Sequence, residues 1–179
     1  MNVRSFCLRE SGNKELLLFL AAVVFLLGAH DRTLAQDVQR LESPDGTIVA
    51  IITSSGKRPS LFESQVELRS KSGREIVRKG YHSDDGNHGY GVSNAEWTPD
   101  SQFFVYSLES SGGHSPWHSP VDFFSRKSAK ISSLDDELHD SVMNPMFKID
   151  PPDTVTVELW FSKTGRKVSL SSLAPEDAR

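Results

Sequence analysis

An internal repeat constrains this chain more than any other feature. Ser43-Pro44-Asp45-Gly46 precedes the strand-like run TIVAIITSS, and Thr98-Pro99-Asp100-Ser101 sits inside WTPDSQFFVYSLES, so the two prolines stand 55 positions apart. VELRSKSGREI begins at Val66 and VDFFSRKSAKI at Val121, again 55 apart. Two unrelated stretches repeating at one offset indicate a duplicated structural unit. Within each unit, short runs of Val, Ile, Phe, Tyr and Thr alternate with Gly, Pro, Asp and Ser clusters, which is the strand-and-turn pattern.

The first unit reads as strands at Val38–Glu42, Thr47–Ser54, Gln65–Arg69 and Glu75–Lys79. Pro-Asp-Gly joins the first two, because Pro fixes φ and Gly tolerates φ > 0. The second unit repeats the pattern at Val92–Trp97, Gln102–Glu109, Val121–Ser125 and Lys130–Leu134. Both second strands are apolar on two faces, which predicts cover on two faces. Phe147 to Leu173 reads as a truncated third unit. Its strand Thr154–Phe161 puts Val155, Val157, Leu159 and Phe161 on one face and Thr154, Thr156 and Glu158 on the other, as an end cap would. Trp97 and Trp160 fall on strands, where core packing is the default. Asp135–Ser141 reads as a short helical turn. The expected fold is all-β: two tandem four-stranded antiparallel meanders packed face to face, plus a C-terminal hairpin.

Before the repeat, Arg4, Arg9 and Lys14 precede the apolar run Leu16–Ala29. A basic segment, an apolar run shorter than the ~20 residues of a spanning helix and the exit Thr33-Leu34-Ala35 predict a secretory signal peptide over residues 1–35, with an uncleaved membrane anchor as the alternative. The expected organisation is then one all-β repeat domain over 36–173 and a frayed tail over 174–179. Four of the 20 Lys/Arg and three of the 24 Asp/Glu precede Gln36, which leaves the remainder at a net charge of −5. With acids and bases interspersed and no basic stripe, nucleic acid is not expected as a partner. Cys7 is the only cysteine. A secreted or periplasmic domain from Gln36 onward therefore has no disulfide, no cysteine nucleophile and no cysteine metal ligand.

At WTPDSQFFVYS and SPDGTIVAI the chain resembles the TolB-like and WD-like β-propeller repeats, whose blades are four-stranded meanders with a Pro-Asp-Gly turn between the first two strands. The resemblance implies blade-like sheets that bind ligands at the end carrying the second-to-third strand loops. The period of 55 exceeds the ~40–45 of WD-type blades, and the Gly-His and Trp-Asp signatures are missing. A closed propeller needs at least ~4 blades, so two and a fraction leave stacked sheets or an oligomer that completes a ring. An exposed apolar sheet face invites association, which makes a homodimer compatible with the reading.

A meander sorts its connections by end. SPDG, KSGR, TPDS and RKSAK are short turns at one end. The longer connections Ser55–Ser64, His82–Gly91, Ser110–Ser119 and Asp135–Asn144 emerge at the other. His82, His88, His114, His118 and His139 all fall in this second set, with Trp117, Asp84, Asp85, Asp135 and Asp136. Long loops on a rigid scaffold are where function concentrates. The candidate ligand-binding residues are His114, Trp117, His118, His82, His88, Asp84 and Asp85, and connectivity predicts one exposed cluster of His114, Trp117 and His118 with His82 or His88. The ordinary alternative is a loop that packs its His and Trp against the adjacent sheet. Imidazoles four apart, with a neighbouring carboxylate, could hold zinc, although HEXXH is missing. Asp84-Asp85-Gly86-Asn87 faintly resembles a calcium loop but lacks the closing glutamate, and an Asp-Gly turn explains it better. Gly113-His114-Ser115-Pro116-Trp117 is not a nucleophile elbow, because Trp117 stands where glycine is needed. The leading expectation is an exported, non-enzymatic binding or interaction module for an envelope or extracellular protein or a small ligand. Its alternative is a metal-dependent or hydrolytic enzyme built on the same loops. No cofactor follows from the residues.

Overall fold

A computed structural model describes residues 37–58, 61–161 and 165–173. The expected signal peptide and C-terminal tail lie outside the described residues. The elements, in chain order, are β1 (Asp37–Glu42), β2 (Ile48–Arg58), β3 (Leu61–Ser70), β4 (Glu75–Gly80), β5 (Tyr90–Trp97), β6 (Phe103–Ser110), β7 (Val121–Ser125), β8 (Lys130–Ser133), α1 (Leu134–Leu138), β9 (Lys148–Asp150), β10 (Thr154–Glu158), β11 (Gly165–Ser169) and α2 (Leu170–Leu173). Strands pair in the orders β1-β2-β3-β4, β5-β6-β7-β8 and β11-β10-β9. The fold is all-β, with two four-stranded antiparallel meanders as expected. The C-terminal hairpin gains a third strand, β9, which pairs with β10 through Lys148–Asp150.

The side-chain alternation of β6 explains the layering. Phe104, Tyr106 and Leu108 pack with Ile48, Ala50, Ile52, Val66 and Leu68 of the first sheet. Phe103 and Val105 point the other way and pack with Val155, Val157 and Val168 of the third sheet and Leu134 of α1. Successive side chains of a strand point to opposite faces, so one doubly apolar strand serves two cores. The second meander is therefore the middle layer of three.

β2 departs from its expectation. Its inner face, Ile48, Ala50 and Ile52, is covered by the middle sheet. On its outer face Ile51 is buried between Arg40 and Glu67 in register. That face carries an ion-paired group in which Glu67 meets Arg69 at 2.6 Å and Arg78 at 3.1 Å. Long charged side chains shield apolar surface with their stems, so no fourth layer is needed there.

The duplication extends to individual hydrogen bonds. In the first turn the Ser43 and Thr47 hydroxyls donate to Asp45 at 2.7 and 2.8 Å, and the Ile48 amide donates to the Ser43 hydroxyl at 3.1 Å. In the second, the Thr98 hydroxyl donates to Asp100 at 2.6 Å, and the Phe103 amide donates to the Thr98 hydroxyl at 3.0 Å. The fourth turn residue has positive φ in both: 66° at Gly46 and 62° at Ser101. A polar bolt also joins the layers. Tyr81, which follows β4, donates to Asp122 of β7 and shares a 2.6 Å hydrogen bond with Tyr106, while Lys79 reaches Asp122 at 2.7 Å. Burial, and then the negative charge of Asp122, push the Tyr106 hydroxyl well above the usual phenol range. Both phenols therefore stay neutral donors in this network.

Candidate functional site

The expected loop Ser55–Ser64 is strand for most of its length. β2 continues to Arg58, β3 begins at Leu61, and Ser55 pairs with Glu63. Extending this hairpin brings Glu63 under the links that leave β4 and β6. The Glu63 side chain is 2% exposed. It accepts from the Ser83 amide at 2.8 Å and hydroxyl at 2.5 Å, the Gly89 amide at 2.7 Å and the Ser111 hydroxyl at 3.0 Å. Burial opposes ionisation of Glu63, but these donors outweigh it and hold the carboxyl below the ordinary range. Sequence reading missed this residue, because its partners are 20, 26 and 48 positions away.

Around this knot the link 81–89 folds as a compact turn. Asp85 accepts from the Asn87 amide at 3.0 Å and faces the His88 ring at 2.5 Å. The Asn87 amide chiefly, with the Ser83 hydroxyl and His88, holds Asp85 below the usual carboxylate range. Asp84-Asp85-Gly86-Asn87 is thus an Asx-type turn with Gly86 at φ 68°. His82 and Asp84 are exposed at its rim, and His82 Nδ1 lies 3.9 Å from Glu63.

The loop 111–120 divides between two surroundings. His114 turns toward the link: its Nε2 lies 2.7 Å from the His88 carbonyl oxygen and its ring stacks on Tyr90 at 4.3 Å. Gly112 and Gly113 permit this approach, since a Cβ on Gly113 would sit 2.4 Å from the His88 ring. Pro116 separates this half from Trp117 and His118, which turn toward α1 and the third sheet. His118 Nε2 lies 2.9 Å from Asp135 Oδ1, and Asp135 also accepts from the Val142 amide at 2.9 Å and the Val121 amide at 3.1 Å. The Trp117 ring stacks on Trp160 at 4.2 Å and 29°. The expected single cluster is therefore two: His114 joins His88, whereas Trp117 and His118 join Asp135 and Trp160.

Trp160 and Phe161 depart from the expected strand. β10 ends at Glu158, Leu159 makes one bridge to Val142, and the Trp160 amide donates to the Ser141 carbonyl at 2.9 Å. The chain then turns out of the sheet, which leaves Trp160 36% and Phe161 80% exposed. Trp117 is 40% exposed. Beside this aromatic shelf lies an open depression of about 570 Å³, lined among others by His118, Asp135, Asp136, His139, Asp140 and Phe161. Ser133 caps the α1 amide of Asp136, and His139 closes the helix at φ 53°.

Among the described residues, no three His, Cys, Asp or Glu side chains converge in a way that could hold a metal ion. The ring nitrogens of His88, His114 and His118 face Asp85, the His88 carbonyl oxygen and Asp135 respectively. No described helix is long and apolar enough to cross a membrane. No protein-family model, curated protein or solved structure matches the chain.

Proposed function

We infer that the chain is a non-enzymatic binding module that uses the long-loop end of its middle and third sheets, with the Trp117–Trp160 shelf as the contact surface. One observation carries this reading: two large aromatic rings stack on each other while each remains more than a third exposed. Burying such rings would favour both, and aromatic side chains anchor interfaces for that reason. The histidines at this end support the same reading. His88, His114 and His118 each have a fixed partner that braces a loop. The likeness of the two meanders to propeller blades adds to it, since the same end carries ligands in such blades. The basic and apolar N-terminal segments support a secreted or periplasmic site of action, with an envelope or extracellular protein or a small ligand as the partner.

The test is binding by the full chain to an array spanning neutral glycans, peptides of varied charge and small aromatics. At least one class is expected to bind, and Trp117→Ala or Trp160→Ala to weaken that binding with the circular dichroism spectrum unchanged. Failure of every class to bind, or binding indifferent to both substitutions, overturns the proposal.

A further inference from the structure

We propose, resting on that binding reading, that the Trp117–Trp160 shelf receives a cationic, arginine- or lysine-rich segment of a partner protein. The shelf is exposed apolar surface, and the carboxylates near it suit a cationic occupant. The adjoining depression carries three carboxylates, Asp135, Asp136 and Asp140, beside His118 and His139. Among the described residues, neither Asp136 nor Asp140 lies in an ion pair, and Asp135 pairs only with His118. The sequence holds no lysine or arginine from 80 to 125 or from 131 to 147, so the 81–89 and 111–120 loops and α1 offer no counter-charge of their own, and Lys163 is the one cation in the short connection after Phe161.

Exposed indole faces attract cations electrostatically, and arginine in particular stacks flat on them. The carboxylates of the adjoining depression can then pair with a second cationic side chain of the same segment. His118 couples the two parts: its ring lies 5.8 Å from that of Trp117 and its Nε2 faces Asp135. Shape favours a segment over a small amine. The depression is open, whereas small-molecule sites enclose most of their ligand. An extended chain can lay one cationic side chain on the shelf and another against Asp136 and Asp140.

The experiment uses the full chain, with a fluorescent hexa-arginine peptide followed by anisotropy and hexa-glutamate and Gly-Ser peptides as controls. Hexa-arginine is expected to bind and the controls not. Raising the salt from ~50 to ~500 mM should weaken it severalfold. Trp160→Ala should weaken it about 3–10-fold, and Asp136→Asn with Asp140→Asn by a similar factor. Glu42→Gln, on the remote first sheet, should leave it unchanged, which separates this surface from the general pull of a negative protein. Equal weakening by Glu42→Gln, or indifference to Trp160→Ala, overturns the proposal. If hexa-arginine fails but a neutral glycan binds and is lost in Trp160→Ala, the cationic partner is overturned while the binding module stands. If nothing binds, both fall.

Discussion

The Asp45 amide donates to the Ser101 hydroxyl at 3.0 Å, so the turn of one repeat is hydrogen-bonded to the equivalent turn of the next. Ser101 occupies the position that Gly46 holds in the first copy, at nearly the same positive φ. A serine in that conformation is strained by about 1 kcal/mol relative to glycine, and the hydroxyl contact offsets this. Ser101→Ala is expected to cost about 1–2 kcal/mol, because the strain stays and a buried acceptor is lost. Ser101→Gly should cost less, since it relieves the strain. Urea unfolding of the two variants measures the difference; equal losses would show that the backbone conformation contributes nothing.

Glu63 should make part of the stability depend on pH. Its carboxyl titrates lower in the folded chain than in the unfolded one. The linked contribution is therefore complete above the unfolded value of about 4.3 and is lost as pH falls through the lower folded value. Glu63→Gln is expected to cost about 1–3 kcal/mol near neutrality, because an amide cannot accept from all four donors. The gap between wild type and variant should close below about pH 4. Denaturant unfolding between pH 2 and 7 follows this, and a constant gap would overturn it.

The approach of Gly113 to His88 predicts a pairwise effect. Gly113→Ala adds a Cβ 2.4 Å from the His88 ring at φ 76°, so both a clash and backbone strain follow. The expected loss is about 2 kcal/mol. Adding His88→Ala should return the steric share and leave about 1 kcal/mol for the backbone. A double-mutant cycle with no coupling would show that the two loops do not meet there.

His114 and His118 should differ. His114 is exposed, and His114→Ala is expected to cost about 0.5 kcal/mol. His118 holds a partly buried Asp135 that also secures the Val121 and Val142 amides. His118→Ala should therefore cost about 1–2 kcal/mol. Thermal or urea unfolding compares them, and the reverse order would mean that the His114 half of the loop is the packing element.

The repeat, the antiparallel meanders and the short turns were legible in the chain because their causes are local. Pro-Asp-Gly and Thr-Pro-Asp-Ser set backbone angles within four residues, and Val121–Ser125 emerged with the bounds its apolar run implied. Trp160 and Phe161 lie past the end of β10, so the alternation that orders Val155 and Val157 inward does not reach them. Glu63 and the division of the 111–120 loop had no such local sign. Glu63 becomes a knot only when the first sheet lies against the second and brings Ser83, Gly89 and Ser111 over it. Trp117 finds Trp160 only because the third sheet packs on Phe103 and Val105 and carries the end of β10 alongside. The sequence by itself determined strands and turns, whose energies arise between near neighbours. Stacking three sheets decided which side chains from separate loops share a surface, because those contacts exist only after the apolar faces have closed on one another.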